Sequence, residues 1–542
     1  MPSPTPGPAA PAGAPTVNVG ILAHIDAGKT SLTERLLYDT GVTGRLGSVD
    51  AGTTRTDSLA VERRRGITVR AAVAALPTAR GQVNLIDTPG HSAFVAEVER
   101  VLDVLDGAVL VVSATDGVQP QTRVLMRTLR RMRPPALLFC NKIDRPGARH
   151  HDLLAELRRR LSPHIVALTG PRDASTRAAA APPYDPADRE FAARLGEALA
   201  DHDNALLARR VDGERPGADE LTAALAAQTS AALIHPVFFG SAITGAGIPT
   251  LLDAMTRLLP RTTTPPPTTA AADGAGGGAD EPVGSFFAVR RGPRGETVAY
   301  LRLRAGTLRP RARVRFWRPG PDGTPVRRTG RVTGLHVVTP TRPGGHQGGS
   351  GGAPPDTPEG ARAGDIAEVR GLDVAVGARL GAPTGPTDDT WFAAPGVETV
   401  IRARDPRDTG RLHAALRALG DADPLIVTGD TEDDGVCLRL YGEVQKEIIA
   451  ATLAADFGVD AVFTPSRPVY LERPAGTGAA AESIGDRDPV RFWATVGLRV
   501  EPGAPASRVT FARETELGAL PRGFDRAIEA TVRDTLRRGR YG

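Results

Sequence analysis

The first part of the chain alternates short apolar runs with longer segments of mixed polarity. Apolar runs of strand length lie at residues 17–22, 83–86, 136–140 and 236–239, and a helical pattern begins at Ser31. Such alternation is typical of buried parallel strands in a doubly wound α/β domain. We therefore predict an α/β domain at 17–261. Asp144 and Ser241 lie farther apart than one β-α-β unit requires, which predicts an inserted helical subdomain at 171–232.

The pattern changes after this domain. Residues 262–282 are rich in Thr, Pro, Gly and Ala and are predicted to form a linker. Short strands are then predicted at 285–289, 298–305, 314–317, 331–338 and 365–369, the first two joined by the turn signal at 292–295. These strands predict a β-barrel domain at 283–385, with a disordered Gly/Pro-rich loop at 343–358.

Two further units are predicted towards the C-terminus. Alternating apolar residues at 436–440 and a helical pattern at 444–453 favour a ferredoxin-like α+β domain at 397–474. Residues 490–500 have the period of a strand, and Phe524, Ile528, Val532 and Leu536 share one helix face. No later strands remain to cover that face, so an incomplete α/β fourth domain is predicted at 481–542.

Composition narrows the class of protein. The net charge of +5 and a pI near 9.5 suit a partner that is a polyanion. Two cysteines, Cys140 and Cys437, exclude a disulfide framework and fit a reducing cytoplasm. Residues 1–16 are Pro/Ala-rich and predict a disordered tail instead of a signal peptide, and no apolar stretch is long enough to span a bilayer.

A phosphate-binding loop is predicted between the first strand and the first helix. It comprises Ala23, His24, Ile25, Asp26, Ala27, Gly28, Lys29 and Thr30, with alanine where the usual first glycine stands. Backbone N–H groups at a helix start favour phosphate. Lys29 is predicted to contact the β- and γ-phosphates, and the Thr30 hydroxyl to bind Mg²⁺. Alone, the match could mark an ordinary turn.

A second motif follows the strand at 83–86. It comprises Asp87, Thr88, Pro89, Gly90 and His91. Asp87 is predicted to hold Mg²⁺ through water, and Gly90 to donate its N–H to the γ-phosphate. His91 is the predicted catalytic residue, because it occupies the place where GTPases orient the attacking water. In isolation, a surface histidine would be the commoner interpretation.

A third motif predicts the base. Asn141, Lys142, Ile143 and Asp144 follow the apolar run at 136–140. Asp144 can accept hydrogen bonds from N1–H and the 2-amino group of guanine, which adenine cannot supply. The Lys142 stem is predicted to cover the purine ring, and Ser241 and Ala242 to offer an N–H to the guanine O6. A solvated loop of mixed charge is the alternative interpretation of the third motif alone.

Two observations support a GTP site with Mg²⁺. Residues 63–68 resemble a switch segment in which Thr68 closes over Mg²⁺ and the γ-phosphate, although a basic solvent-facing loop is also possible. The chain has 67 Lys and Arg, and its lysines are Lys29, Lys142 and Lys446. Two of them lie in the nucleotide motifs, where a compact ammonium is not interchangeable with a guanidinium.

The order of domains and motifs resembles the translational GTPases of the elongation factor G class. Within that class, residues 46–57 and 62–68, the motif 22–30 with Ala23, and residues 104–108 and 441–447 are most similar to the ribosomal protection proteins that confer tetracycline resistance. The resemblance covers about residues 17–542, is strongest before residue 145, and indicates a C-terminal truncation of that architecture.

The resemblance implies a monomeric, cytoplasmic GTPase that binds GTP or GDP with Mg²⁺ and works on the ribosome. Its partners would be ribosomal RNA and proteins at the factor-binding site, with no membrane or DNA partner, and ribosomal RNA would bring His91 into its active position. It further implies release of tetracycline. Two alternatives stay open: a translocation factor of the elongation factor G type, and a GTP-binding fragment without effector activity.

Overall fold

The computed structural model describes most of the chain. The described residues are 15–47, 72–89, 98, 101–260, 281–292, 295–319, 325–340, 360–381, 395–423, 426–430, 435–470, 472–483, 495–504, 509–516 and 521–536. Within them, no helix is both long enough and apolar enough to cross a membrane. The predicted disordered tail, the linker and the Gly/Pro-rich loop lie largely or wholly outside these residues.

The first domain contains a seven-stranded sheet in the order β2-β3-β1-β4-β5-β7-β6. Strand β2 runs antiparallel to β3, and the other neighbours are parallel. The strands are β1 Thr16–Ala23, β2 Ala72–Thr78, β3 Gly81–Asp87, β4 Gly107–Ser113, β5 Ala136–Asn141, β6 Ile165–Ala167 and β7 His235–Phe239. Strand β1 begins at Thr16, inside the predicted tail.

Helices cover both faces of this sheet. They are α1 Lys29–Asp39, α2 Pro120–Met132, α3 His151–Arg160, α4 Arg189–Ala200, α5 Asn204–Val211, α6 Ala218–Ser230 and α7 Ile248–Leu258. Alternate strand residues enter opposite cores: Val109 and Val111 join the core of α1 and α7, whereas Leu110 and Val112 join that of α2 and α3. The predicted doubly wound domain is therefore confirmed.

The predicted helical insert needs a correction. Helices α4–α6 occupy only residues 189–230 of the predicted range 171–232, and residues 171–188 form turns with the isolated bridge between Arg172 and Ala180. Phe191, Leu195 and Leu221 belong to the same hydrophobic cluster as β1 and α1. In the described part of the chain the insert thus shares the core of the sheet.

The second domain is a barrel. Its strands are β8 Val283–Arg291, β9 Thr297–Ala305, β10 Thr307–Leu308, β11 Arg313–Pro319, β12 Pro325–Arg331, β13 Gly334–Val337, β14 Ala361–Arg362, β15 Ile366–Arg370 and β16 Arg379–Leu380. The sheet order is β12-β11-β16-β8-β9-β15-β13. Only Val332 and Thr333 separate the edge strands β12 and β13, so one bent segment joins the two edges. The predicted strand at 331–338 is confirmed at 334–337 as β13, but its first three residues belong to the end of β12 and to this bend.

The third domain has a sheet in the order β18-β19-β17-β20, with β21 beside β17. It comprises β17 Val397–Ala403, α8 Thr409–Ala422, β18 Val427–Asp430, β19 Val436–Leu440, α9 Glu443–Phe457, β20 Ala461–Phe463 and β21 Arg467–Pro468. Six elements in β-α-β-β-α-β order, with antiparallel pairing, give the predicted ferredoxin-like fold.

The last segment contains an antiparallel pair, β22 Gly478–Glu482 and β23 Val496–Val500, and a helix, α10 Arg522–Thr535. Strand β22 starts before the predicted boundary at 481. Among the described residues, Leu498, Val500 and Phe524 are exposed. Residues 490–494, the first half of the predicted strand at 490–500, lie outside the described residues.

Candidate functional site

The predicted motifs meet at one edge of the first sheet. The phosphate loop follows β1, the second motif follows β3, the third follows β5, and Ser241 follows β7. Strands β3, β1, β4, β5 and β7 are consecutive neighbours, and those that carry the motifs are parallel. The carboxyl ends of parallel strands share one edge, which is where ligands of open α/β sheets bind.

The phosphate loop is shaped by its glycine. Gly28 has φ 89° and stands at the N-cap of α1, which then begins at Lys29. A Cβ on Gly28 would lie 2.3 Å from Asn141 Nδ2, so a side chain would be both strained and obstructed. This arrangement directs the first N–H groups of α1 towards the end of β1, as anion binding requires.

Lys29 and Asp87 lie together at the centre of the site. Lys29 Nζ is 2.5 Å from Asp87 Oδ1, and both side chains are buried. The Thr33 hydroxyl donates to the same oxygen at 3.3 Å. Thr30 follows Lys29 in the first turn of α1, and its hydroxyl together with the Asp87 carboxylate would be a donor set that suits Mg²⁺.

His24 is fixed by the helix that follows β4. Its Nδ1 lies 3.0 Å from the Thr122 hydroxyl of α2, and the imidazole is buried. Burial lowers the pKa of His24 below its ordinary value. The predicted phosphate-loop histidine is therefore neutral near pH 7 and joins the loop to α2.

Asn141 joins three loops of the site. Its Nδ2 donates to the Ala27 carbonyl at 2.9 Å, and its Oδ1 accepts from the Ala242 N–H at 2.9 Å. The side chain is 2% exposed. Asn141, predicted as a nucleotide contact, thus connects the phosphate loop, the third motif and the loop after β7.

Asp144 presents a buried acceptor. Its Oδ1 is shielded from solvent, and no donor in the described part of the chain reaches it. A buried carboxylate oxygen without a donor is costly unless a partner binds there. The adjacent Lys142 has φ 69°, which turns the backbone sharply before Asp144.

Local hydrogen bonds fix the segment that contains Ser241 and Ala242, which is predicted to contact the guanine O6. The Ser241 N–H donates to the Ala246 carbonyl at 2.9 Å, and the Ala242 N–H donates to Asn141. Both N–H groups are thus engaged within the chain, and their contact with the guanine O6 stays a prediction. Their local hydrogen bonds fix the loop, which the sequence pattern alone did not indicate.

Two residues of the site were missed by sequence reasoning. Arg35 of α1 donates from Nε to the Ala242 carbonyl at 2.9 Å and from Nη2 to the Ile243 carbonyl. Asp116 lies with Oδ2 3.5 Å from Lys142 Nζ. Hydrogen bonding from Ser113 lowers the pKa of Asp116, so its negative charge is favoured beside Lys142. The only sequence signal for them was position: Asp116 lies shortly after β4, and Arg35 lies on α1.

The remaining predicted residues are distributed as follows. Thr88 is buried and donates from its hydroxyl to the Ile21 carbonyl at 2.6 Å, so it holds the second motif against β1. Pro89 is buried, whereas Ile25 and Asp26 are exposed on the phosphate loop. Gly90, His91 and Thr68 lie outside the described residues, and their roles stay predictions.

Lys446, the lysine outside the nucleotide motifs, has local partners. Its Nζ donates to the Thr464 carbonyl at 2.9 Å and lies 3.5 Å from Glu443 Oε2. It also stands 5.7 Å from the centroid of the Phe463 ring. These contacts favour a structural role for Lys446.

Comparisons with known proteins agree with this geometry. Residues 14–261 match the model of the elongation factor Tu GTP-binding domain. The chain is 51% identical to the tetracycline resistance protein TetM of Streptomyces lividans, over 97% of this chain and 78% of that protein. It is 50% identical to the oxytetracycline resistance protein of Streptomyces rimosus, over 97% of this chain and 77% of that protein.

A solved structure is also similar. The chain superposes on a crystal structure of a Thermus thermophilus protein with a TM-score of 0.67 and 26% sequence identity. The match covers 91% of this chain and 74% of that one. It therefore extends well beyond the nucleotide-binding domain.

Proposed function

Because the chain belongs to the tetracycline resistance proteins of the ribosomal protection type, which are translational GTPases, we propose that it binds the ribosome with GTP, releases tetracycline and hydrolyses the GTP there. The family supplies the reaction class. The proposal adds the roles of individual residues and the order of events.

The orphaned Asp144 Oδ1 is the observation that carries guanine binding. A guanine base would supply N1–H and the 2-amino group to this carboxylate, whereas adenine would leave the buried oxygen without a donor. The Lys142 stem would lie along the purine. Asn141 and Arg35 would act as positioning residues, since their polar atoms hold the surrounding loops.

The phosphates would lie over the start of α1. Lys29 would exchange part of its contact with Asp87 for the β- and γ-phosphates, while the Thr30 hydroxyl, Asp87 and Thr68 would hold Mg²⁺. Bound Mg²⁺ neutralises charge that develops on the phosphate oxygens. The N–H groups from Gly28 onwards would bind the β-phosphate, and Gly90 would bind the γ-phosphate.

His91 would orient the water that attacks the γ-phosphate. Its side chain must approach that phosphate, and we propose that contact with ribosomal RNA brings it there. Hydrolysis would then depend on the ribosome, which places the reaction in the cytoplasm. A single chain suffices, because each of the proposed nucleotide contacts comes from the first domain.

The test is GTP turnover by the purified chain with and without bacterial ribosomes. We expect ribosomes to raise turnover, and GTP to promote release of labelled tetracycline from ribosomes. An Asp144→Asn variant run in parallel should lose both effects with GTP. Turnover that ribosomes do not stimulate would overturn the proposal. Stimulated turnover that moves messenger RNA but leaves tetracycline bound would instead identify a translocation factor.

A further inference from the structure

A cleft of about 370 Å³ lies on the first domain between α2 and the end of α3. It is lined by Arg123, Arg127, Arg130, Arg131, Arg160 and Leu161, here called the arginine cleft. The nucleotide motifs contribute no residue to it. Five guanidinium groups around one depression are a strong concentration of positive charge.

Folding of α2 does not explain these charges. Arg123, Arg127 and Arg130 follow one another at helical spacing on one face, while Leu125, Met126 and Leu129 enter the core. Like charges four residues apart destabilise a helix. Arg130 and Arg131, in the last turn, gain from the helix dipole, but Arg123 lies in the first turn, where a cation is unfavourable.

Part of the arginine cleft is held in place before any ligand binds. Arg130 Nη1 donates to the Leu161 carbonyl at 3.3 Å, and Arg160 Nη1 donates to the Val118 carbonyl at 3.4 Å. Arg160 also pairs with Glu156 at 3.4 Å, and Glu156 is shared with Arg149. Guanidinium groups fixed in this way lose less rotamer freedom when they bind an anion.

Two of the five arginines of the cleft have no countercharge in the described part of the chain. Within the described ranges, neither Arg123 nor Arg127 has a carboxylate within salt-bridge distance, and both are exposed. By contrast, exposed arginines elsewhere on this domain, such as Arg194, Arg209 and Arg257, each pair with an acidic side chain. The cleft is therefore suited to an anion from outside the chain.

We propose that the arginine cleft binds the phosphate backbone of folded RNA. Guanidinium forks match phosphate oxygens in pairs, and phosphate contacts supply most of the binding energy for nucleic acids. No aromatic side chain lines the cleft, so it lacks the platform that base stacking needs. Its one apolar residue, Leu161, is buried, so it also lacks the exposed anchor typical of protein interfaces.

The test is the salt dependence of binding to a fluorescently labelled RNA hairpin that is free of ribosomal proteins. The test variant carries Arg123→Gln, Arg127→Gln and Arg130→Gln. We expect its affinity at low salt to fall at least about tenfold, and the slope of log affinity against log salt to become shallower by about 2–3. The outcome does not depend on GTP hydrolysis, so it can fail separately from the proposed function.

The matched control carries Arg194→Gln, Arg209→Gln and Arg257→Gln, which removes the same charge from ion-paired positions. We expect its salt slope to stay close to that of the unchanged protein. An equal loss in both variants would overturn the proposal, because net charge alone would explain it. Unchanged RNA affinity in the test variant would also overturn the proposal.

Two further measurements test whether the variants are folded and whether the cleft prefers RNA to other anions. Binding of a fluorescent GDP analogue should be equal in all three proteins, which shows that the first domain is folded. If the triple variant fails this check, the single changes Arg123→Gln and Arg127→Gln should each lower the salt slope by about 1, and unchanged slopes would overturn the proposal. Displacement of RNA from the unchanged protein by pyrophosphate at equal phosphate concentration would also overturn it. So would a test variant that loses binding to poly-glutamate while its RNA binding stays intact.

Discussion

At the scale of single residues, the site is organised by side chains that bind other loops. Asn141, Arg35 and Thr88 each use their polar atoms within the chain, whereas no donor in the described residues reaches the buried Oδ1 of Asp144. This division follows from the cost of an unsatisfied polar group. A loop that must meet a base at hydrogen-bond distance needs fixed neighbours.

The first prediction concerns Asp144. Asp144→Asn replaces an acceptor with an amide donor, so GDP affinity should fall about 30- to 1,000-fold. Xanthine carries an oxygen where guanine has its 2-amino group, so the amide should favour it and xanthosine diphosphate affinity should rise. Calorimetric titration of both nucleotides checks this reversal. If the variant kept its preference for guanine, the predicted contact of Asp144 with the base would be wrong.

The second prediction concerns His91. His91→Ala should leave affinity for GDP and GTP unchanged and lower ribosome-stimulated turnover about 100- to 10,000-fold, because the side chain that orients the attacking water is lost. Single-turnover phosphate release on ribosomes measures the chemical step. Turnover at the original rate would mean that another group orients the water.

Residue identities were more predictable than residue roles. The three nucleotide motifs were visible because each places its polar residues directly after an apolar strand. The partners of Asn141 and Ala242 were not, since residues 141 and 242 are remote in sequence and meet only once β5 and β7 pair. The role of Arg35 was hidden for the same reason.

At the scale of elements, the strand-to-helix turn depends on one backbone conformation. Gly28→Ala should abolish most nucleotide binding, because it combines a left-handed φ with a Cβ 2.3 Å from Asn141. The left-handed conformation alone costs about 1–2 kcal/mol. Gly44→Ala, at a position with open space around the Cβ, is the matched control and should bind GDP normally. If Gly28→Ala bound GDP as well as Gly44→Ala does, the predicted backbone strain at residue 28 would be contradicted.

The start of β7 predicts a pH dependence. Burial lowers the pKa of His235 from 6.5 to about 4. Between these values the unfolded chain binds a proton that the folded chain does not, so stability falls as pH drops from 6.5 towards 4. The full difference corresponds to about 3 kcal/mol.

Scanning calorimetry of the first domain at pH 7 and pH 5 measures this effect. His235→Gln removes the titration, so its unfolding temperature should change less between the two pH values than that of the unchanged protein. If the unfolding temperature changed equally in both proteins, another residue would be the titrating group. His164, whose pKa is also lowered by burial, is the first candidate.

Elements with strong periodicity were predictable, and short ones were not. The ferredoxin-like domain followed from its strand and helix periods, whereas β10, β14 and β16 have only two residues each and carry no period. The bend at Val332 and Thr333 was also hidden, since β12 and β13 form one continuous run in sequence. Barrel closure is a tertiary property that local patterns do not contain.

At the scale of the whole molecule, the first domain and the barrel share a buried polar joint. Arg302 Nη2 lies 2.9 Å from Asp106 Oδ1, and Asn18 donates from N and Nδ2 to Asp106 Oδ2 at 2.8 Å. Asn18 Nδ2 also donates to the Gly364 carbonyl at 3.1 Å. A small apolar cluster that includes Ile86, Val104 and Tyr300 lies at the same interface.

This joint connects the nucleotide site to the rest of the chain. Asn18 lies on β1, the strand that ends in the phosphate loop, and Asp106 precedes β4, its neighbour in the sheet. The strand that leads into the phosphate loop therefore has a direct polar connection to the barrel. Energetic coupling through the joint would require that it has two arrangements, whose equilibrium both the nucleotide and the barrel bias.

The last prediction tests the joint. Asp106→Asn leaves the Arg302 guanidinium, only 4% exposed, without its countercharge, and should destabilise the folded chain by about 3–5 kcal/mol. Adding Arg302→Met should recover part of this loss, because an apolar replacement removes the uncompensated charge. Arg404→Gln, which breaks an exposed pair with Asp460, should cost no more than about 1 kcal/mol. Calorimetric unfolding ranks the three variants, and a loss in Asp106→Asn no larger than in Arg404→Gln would mean that the Asp106–Arg302 pair stabilises the chain no more than an exposed pair does.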